Sequence, residues 1–210
     1  MSLEREVKLT VPAGFELPDL SGVMRGVSAL DRGTHLLEAT YWDTDKLELL
    51  QQGVGLRHRT RDGGEGTWTM KGRSSMKGPA VVREETEVLG EPGRPPRELL
   101  DRLAGIVSEA RLRPVARLRT RRHQTDVVAE RERRLAEVVD DLVSVVDPAG
   151  GVVSTFREVE IEEIGDPPAG LVEAVLSRLA EAGAGKPDPT PKYVRGLRAL
   201  GYRVPSLRTG

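Results

Sequence analysis

The sequence lacks cysteine and has only three histidines and 3% aromatic residues. The lack of cysteine excludes disulfides and thiolate metal sites, and three scattered histidines are too few for a histidine-rich metal cluster. With so few aromatic side chains, the core of this 210-residue chain must rest on Leu, Val and Ala. No signal-peptide pattern and no apolar run of membrane-spanning length is present, which predicts a cytoplasmic protein that does not bind membranes.

The chain also lacks an excess of charge of either sign. It carries 32 Lys and Arg residues against 33 Asp and Glu residues, a formal net charge of −1. Overall basicity therefore gives no support for a nucleic-acid-binding protein. Because 31% of the residues are charged, any anion-binding site must come from the local arrangement of these side chains.

The stretch 3–11 is the most informative one, since it predicts a β-strand with two different faces. Successive side chains of a strand alternate, so Glu4, Glu6 and Lys8 share one face and mostly apolar residues share the other. Burying two carboxylates and an ammonium group is costly unless ions of opposite charge neutralise them. A divalent metal bound to a polyphosphate supplies both ions. A solvated edge strand is the plain alternative.

The same alternation of charged residues recurs in later segments that also predict strands. Adjacent Asp140 and Asp141 fall on opposite faces of the predicted strand 135–146. The other alternating sets are Arg57, Arg59 and Arg61; Arg83, Glu85 and Glu87; Arg117, Arg119 and Arg121 opposite Arg122, Gln124 and Asp126; and Glu158, Glu160 and Glu162.

Between these segments, hydrophobic periodicity predicts helices over residues 17–30, 46–52, 98–108, 171–182 and 192–197. Turn residues link most of the strands as hairpins, and no Gly-rich nucleotide-binding loop is present. The sequence therefore predicts an α+β fold: an eight-stranded antiparallel β-barrel, or tunnel, with flanking helices. Its ionised inner face would suit a metal-chelated polyphosphate, whereas salt-bridged outer faces of ordinary hairpins remain the alternative.

Short motifs in a fixed order add a resemblance to a known family. These motifs are Glu4-Arg5-Glu6-Val7-Lys8, Tyr41-Trp42-Asp43-Thr44, Leu56-Arg57-His58-Arg59, Trp68-Thr69-Met70-Lys71, Arg83-Glu84-Glu85-Thr86-Glu87, Arg157-Glu158-Val159-Glu160-Ile161-Glu162 and Pro191-Lys192-Tyr193. Over roughly residues 2–202 the chain resembles the CYTH family, the triphosphate tunnel metalloenzymes. The resemblance implies a single domain over residues 1–203, with a tail of residues 204–210.

The resemblance also implies roles for individual residues. Lys8 and Glu6 are the expected catalytic residues, and Lys8 also contacts phosphate. Arg122 is the favoured basic residue of its strand, with Arg119 and Arg121 as weaker candidates; Asp141 is the inward candidate of its pair. The expected metal ligands are Glu4, Glu6, Glu158 and Glu160, with Glu162, Glu85 and Glu87 as further acidic candidates. The expected phosphate-binding residues are Lys8, Arg57, Arg59, Lys71, Arg122 and Lys192.

The implied activity is hydrolysis of a triphosphate with Mg²⁺ or Mn²⁺. Inorganic tripolyphosphate is the leading substrate, and thiamine or nucleoside triphosphates are alternatives. A non-catalytic polyphosphate-binding module and an adenylate cyclase remain open, as do a homodimer and a structural protein with salt-bridged hairpins. The segment 135–144 is similar to members in which a helical CHAD domain follows, so the chain is either a stand-alone enzyme or a module of a longer protein.

Overall fold

The computed structural model describes residues 2–204, and its strands close into one antiparallel barrel. The eight strands are β1 (Ser2–Thr10), β2 (Ser28–Asp43), β3 (Gly55–Arg61), β4 (Thr67–Lys77), β5 (Ala80–Leu89), β6 (Arg113–Val128), β7 (Arg134–Val146) and β8 (Val152–Glu163). Around the barrel they follow the order β1-β5-β4-β3-β2-β6-β7-β8. The predicted fold class is confirmed.

Four α-helices accompany the barrel: α1 (Glu48–Gln51), α2 (Arg97–Leu103), α3 (Leu171–Glu181) and α4 (Lys192–Ala199). Each corresponds to a predicted helix, although α2 ends five residues earlier than predicted, shortly before Gly105. Within residues 2–204, none of these helices has the length and apolar character needed to cross a membrane. The predicted boundary at residue 203 stays a prediction, and residues 205–210 of the predicted tail lie outside the described part.

The predicted helix over residues 17–30 is wrong. This segment consists of turns, and β2 begins at Ser28. Gly22 and Gly26 adopt positive φ angles of 69° and 76°, which a right-handed helix does not accommodate. The apolar residues that suggested a helix, including Leu20 and Val27, instead pack on the outside of the barrel. Burial on a neighbouring surface, rather than a helical face, explains their spacing.

Strand alternation gives the barrel a charged interior and an apolar outer wall. On β8 the outward side chains of Val159 and Ile161 are buried beneath α3, whereas the intervening glutamates point inward. Likewise, α2 covers the outer face of β3 and β4 around Leu56 and Trp68. Burial of the outward apolar residues therefore fixes the register of the strands. The ionised residues on the opposite face must then point into the barrel.

Helix α4 is different, because it packs against inward-facing residues. Val194 and Leu197 are fully buried against a cluster that includes Leu118, Val143 and Val145. Close approach depends on Gly196, since a Cβ atom there would lie 2.9 Å from Leu118 Cδ2. The helix thus fills part of the barrel with an apolar core and leaves a charged cavity beside it.

Candidate functional site

The charged cavity has a volume of about 1390 Å³. Its lining includes the predicted row on β1, where Glu4, Glu6 and Lys8 point inward and are each about 5–6% exposed. Glu4 accepts hydrogen bonds from Lys71 Nζ at 2.7 Å and from Arg83 Nε at 2.6 Å. Lys8 Nζ lies 3.2 Å from Glu6 Oε1. Each carboxylate is therefore neutralised by a cation from its own or a neighbouring strand.

The inward glutamates of β8 continue this network beside β1. In the antiparallel register Glu6 lies opposite Glu162, and Lys8 lies opposite Glu160. Lys8 Nζ is 3.2 Å from Glu160 Oε1. Glu158 is fully buried, with Lys192 Nζ 3.3 Å from its Oε1 atom. The structure therefore brings Glu4, Glu6, Glu160 and Glu162 to one wall of the cavity, whereas Glu158 is fully buried and does not line it.

Glu162 differs from the other glutamates on this wall because no Lys or Arg of the described residues forms an ion pair with it. Burial and the nearby carboxylates of Glu4, Glu137 and Glu6 raise the pKa of Glu162 to about 7, against the opposing effect of Lys71. Burial is the largest cause of this shift, and the like charges around Glu162 add to it. A cation bound there would relieve the repulsion between these carboxylates.

The opposite charge accumulates on β3. Arg57 and Arg59 both line the cavity, and neither forms an ion pair with a carboxylate of the described residues. The adjacent guanidinium of Arg57, together with burial and Arg122, lowers the pKa of Arg59 to about 10. Arg57 Nε is buried without a hydrogen-bond partner. Clustered guanidinium groups with free donors form a candidate anion site, because planar N–H forks match phosphate oxygens.

Arg122 and Lys192 connect the two walls. Arg122 donates two hydrogen bonds to Asp141, at 2.9 and 2.7 Å, and one to Glu160 at 3.0 Å. Lys192, at the start of α4, contacts Asp141 and lies 3.5 Å from Glu160 Oε2. Although burial acts to raise it, Lys192, Lys8 and Arg122 hold the pKa of Glu160 well below its ordinary value. Asp141 therefore positions two cations beside the anion site.

The remaining inward candidates lie on the β4–β5 side. Lys71 Nζ is 3.3 Å from Glu85 Oε2, and Glu87 accepts a hydrogen bond from Thr69 Oγ1 at 3.2 Å. Both glutamates line the cavity, as does Lys71. They are thus placed to offset the positive charge of β3 and β4.

Two of the weaker candidates do not reach the cavity. Arg119 and Arg121 lie on the outer surface, where Arg119 donates to exposed Glu38 at 3.1 Å. Their alternation opposite Arg122 places them on the other face of β6. Asp140 also faces away from the cavity and pairs with Arg157. The structure therefore corrects the grouping of Arg119 and Arg121 with the site residues.

Sequence reasoning missed three residues that complete the network. Arg83 bonds to Glu4 and lies 3.5 Å from Glu6 Oε2. Glu137 lines the cavity opposite Glu162, and Arg195 Nη1 lies 3.4 Å from Glu158 Oε2. Arg83 shares its strand face with Glu85 and Glu87, which was a usable signal, whereas the contact of Arg195 with Glu158 joins residues that are distant in sequence.

The cavity lining offers oxygen ligands of the kind that Mg²⁺ and Mn²⁺ prefer. Within residues 2–204, no three acidic or histidine side chains are gathered closely enough to hold a metal ion. The carboxylate oxygens of Glu4, Glu6 and Glu160 are instead paired with lysine or arginine, which keeps the acidic groups from gathering around one point. Glu162 is the exception, since no lysine or arginine of residues 2–204 forms an ion pair with it. The donor set fits a hard divalent cation, provided that the lysine and arginine contacts give way.

A closed antiparallel barrel with acids on one inner wall and free guanidinium groups on another defines the class of the protein. The chain belongs to the CYTH family, since the CYTH domain model matches residues 2–193. Two uncharacterized proteins of Mycobacterium tuberculosis, from strains CDC 1551 and H37Rv, are each 28% identical over 94% of this chain. The aligned region spans only 40% of the length of these relatives.

Solved structures share the fold at low sequence identity. A candidate adenylate cyclase from Bacillus halodurans has a TM-score of 0.62 and 17% identity, with 93% of this chain and 98% of that chain covered. A candidate adenylyl cyclase from Hippeastrum, described as having a dominant triphosphatase activity, has a TM-score of 0.59 and 16% identity, with 99% and 100% covered. At these identities the likeness establishes the fold alone.

Proposed function

We propose that the protein hydrolyses a triphosphate with the help of a divalent cation, and that inorganic triphosphate is its preferred substrate. The observation that carries this proposal is the pair Arg57 and Arg59, cavity-lining guanidinium groups that no carboxylate of residues 2–204 pairs with, opposite a wall of glutamates. Phosphate oxygens satisfy the arginines, and a metal satisfies the carboxylates. A metal–triphosphate complex is the one ligand class that supplies both an anion for the arginines and a cation for the carboxylates.

In the structure the two walls partly neutralise each other, and we infer that the ligand exchanges these contacts. Lys71, Lys192 and Arg122 would turn from Glu4, Asp141 and Glu160 toward phosphate oxygens. The carboxylates that would hold Mg²⁺ or Mn²⁺ are those of Glu4, Glu6, Glu158 and Glu160, with Glu162 beside them. Arg83 and Lys8 would also have to turn away from Glu4 and Glu6. When bound, the metal supplies positive charge to phosphate oxygens as a Lewis acid.

Lys8 has a different part in the proposal. It lies between Glu6 and Glu160, 3.2 Å from each. Although burial acts to lower it, the two carboxylates raise the pKa of Lys8. Lys8 therefore stays protonated, and we assign it an electrostatic role: it holds a phosphate oxygen and orients the water that attacks the terminal phosphorus. The rate enhancement comes from positioning and charge stabilisation.

The test is phosphate release from inorganic triphosphate, thiamine triphosphate and ATP, each with Mg²⁺, Mn²⁺ or EDTA. Metal-dependent release of orthophosphate is expected, fastest with inorganic triphosphate. Formation of cyclic AMP from ATP would instead indicate an adenylate cyclase. If triphosphate raises the melting temperature but no phosphate is released under any condition, the protein is a binding module and the catalytic proposal is wrong.

A further inference from the structure

The start of α4 carries two basic residues with different surroundings. Lys192 lines the cavity and is one of the proposed phosphate-binding residues. Arg195 follows it by three residues, close to one turn of the helix, so both side chains leave α4 on the same side. Within residues 2–204 Arg195 does not belong to the cavity lining, and its side chain is only 16% exposed. Arg195 therefore lies behind the cavity wall, and it can affect the site only through its neighbours.

The guanidinium group of Arg195 joins α4 to two other parts of the chain. Its Nη2 atom donates a hydrogen bond to Asp188 Oδ2 at 2.7 Å, and its Nη1 atom lies 3.4 Å from Glu158 Oε2 on β8. The guanidinium carbon also lies over the ring of Phe156, 5.4 Å from the centroid, which is within the range of a cation–π interaction. Two carboxylates and an aromatic ring thus hold Arg195 in one orientation.

Asp188 belongs to a short segment that is fixed against β1. Its backbone N–H donates to the carbonyl oxygen of Lys8 at 2.8 Å. The preceding residue, Pro187, forms an isolated antiparallel bridge with Leu9. The ion pair with Asp188 therefore ties Arg195, and α4 with it, to the strand that carries Lys8.

Glu158 is the second carboxylate beside Arg195, and it is fully buried. The two cations next to it among residues 2–204 face different oxygens, since Lys192 Nζ lies 3.3 Å from Oε1 and Arg195 Nη1 lies 3.4 Å from Oε2. Neither oxygen has a hydrogen-bond partner within the same range. A buried carboxylate that loses its last counter-ion is strongly destabilising. When Lys192 turns toward a phosphate, Arg195 is the cation that stays beside Glu158.

We propose that Arg195 is a positioning residue of the triphosphate site: it holds α4 and the Glu158 carboxylate in place, so that Lys192 can exchange its carboxylate contacts for a phosphate oxygen. Arg195 does not touch the ligand and acts through Lys192. Asp188 belongs to the same arrangement, because it holds the guanidinium group from the side of β1. This inference rests on the proposed function, since it takes Lys192 as a phosphate-binding residue.

The sign of the effect at Asp188 separates positioning from simple charge attraction. Asp188→Asn removes a negative charge next to the cavity-lining residue Pro189, and charge attraction alone would then strengthen the binding of a triphosphate anion. If Arg195 must be held in place, the same variant binds triphosphate more weakly. We expect the Kd of the metal-free protein for inorganic triphosphate, measured by titration calorimetry, to rise about fivefold in Asp188→Asn and in Arg195→Gln.

Asp101→Asn is the matched control for Asp188→Asn. Asp101 also pairs with an arginine, Arg97 at 2.8 Å, but this pair lies on the exposed surface of α2, so the Kd should stay at the wild-type value. In Asp188→Asn the amide oxygen can still accept the hydrogen bond from the Thr190 N–H, which preserves the local turn. Melting curves of each variant show whether the protein is folded at the temperature of the titration.

A double-mutant cycle with Lys192→Gln tests whether Arg195 acts through Lys192. Arg195→Gln should raise the Kd about fivefold in the wild-type background and less than about twofold in the Lys192→Gln background. The same loss in both backgrounds would mean that Arg195 attracts the ligand independently, and it would overturn the proposal. Tighter or unchanged binding of triphosphate by folded Asp188→Asn protein would overturn it as well.

Failure of the proposed function would give a different result. Because binding is measured without metal, the pattern of Kd values does not depend on turnover. The expected pattern together with no release of phosphate in the presence of Mg²⁺ would refute hydrolysis and support the role of Arg195. Absence of triphosphate binding by the wild-type protein would overturn both proposals.

Discussion

Two rows of arginines, on the strands β3 and β6 that flank β2, show how position, rather than residue type, gives the cavity its chemistry. Arg57 and Arg59 on β3 face inward, and the pKa of Arg59 is lowered by the guanidinium of Arg57, burial and Arg122. Arg119 on β6 faces water, where it pairs with exposed Glu38. Both rows have the same spacing in the sequence. Only Arg57 and Arg59 are half-buried and lack a carboxylate partner within residues 2–204, and this combination makes them a candidate anion site.

The largest difference in activity is expected between variants of an inner and an outer glutamate. Glu6→Gln removes a charge from the acidic wall while preserving the shape of the side chain. Metal-dependent hydrolysis should fall about 100-fold or more, because the carboxylate that faces Lys8 and is proposed to hold the cation is lost. The measurement is kcat/KM for inorganic triphosphate at saturating Mg²⁺.

Glu38→Gln is the matched outer control and should retain wild-type turnover, since its side chain is 67% exposed. Full activity of Glu6→Gln at saturating metal would remove Glu6 from the proposed site. Melting curves of both variants would show whether either change acts through loss of the fold.

Replacing an inner arginine is expected to lower activity by a smaller factor and to raise the stability of the ligand-free protein. Arg59→Gln should lower kcat/KM for triphosphate roughly 10- to 100-fold, since a phosphate-binding fork is removed. In the absence of ligand the same variant should melt at a higher temperature than wild type, because Arg57 and Arg122 no longer face a third buried cation. Activity and ligand-free stability are thus expected to move in opposite directions.

Arg119→Gln is the matched variant on the outer surface. It should change neither kcat/KM for triphosphate nor the melting temperature of the ligand-free protein appreciably. Differential scanning calorimetry with and without triphosphate checks both parts, as the gain in melting temperature on ligand binding should shrink in the Arg59 variant alone. A marked drop in the melting temperature of ligand-free Arg59→Gln would show that the side chain stabilises the fold and would contradict the assignment.

Local alternation made the inner and outer faces of single strands predictable. The rows on β1, β3 and β8 lie where their spacing placed them, because a one-residue shift would expose apolar partners such as Val159. The pairing between strands was not predictable in the same way. Arg83 reaches Glu4 across 79 positions of sequence, and no local pattern encodes such a contact.

Helices were less predictable than strands. The periodicity at residues 192–197 predicted α4, yet nothing local to it showed that its apolar side would pack inside the barrel against Leu118 and Val143. Between residues 17 and 30 the apolar spacing suggested a helix, but the positive φ angles of Gly22 and Gly26 and the surface of α3 impose turns. In both cases the packing partner decided the outcome, and that partner is distant in sequence.

A substitution at Gly196 tests how the apolar core formed by α4 inside the barrel affects the charged cavity beside it. A Cβ atom in Gly196→Ala would meet Leu118 Cδ2 at 2.9 Å, so either the buried Leu118 side chain or the helix must shift. We expect a loss of about 1–3 kcal/mol in the free energy of unfolding, measured by urea denaturation. Because Lys192 moves with α4, affinity for triphosphate should weaken as well.

Gly201→Ala would be a poor control, since Gly201 has a positive φ angle. Ala199→Gly, at the exposed end of the same helix, perturbs α4 without touching Leu118 and should cost less than 1 kcal/mol. Equal stability of Gly196→Ala and wild type would show that the fit of α4 in the barrel is looser than the structure indicates.

The smallest effect is expected for the outer ion pair. A double-mutant cycle of Arg119→Gln and Glu38→Gln should give a coupling free energy of roughly 0.2–1 kcal/mol, because both side chains are mostly exposed and water screens their attraction. The coupling should shrink further in high salt. Inside the cavity, the pair formed by Arg122 and Asp141 is largely sheltered from water, so the corresponding cycle should give a larger coupling that salt changes little. Equal couplings at the two sites would mean that water reaches the unliganded cavity freely, and the contrast between the inner and outer surfaces would then rest on charge arrangement alone.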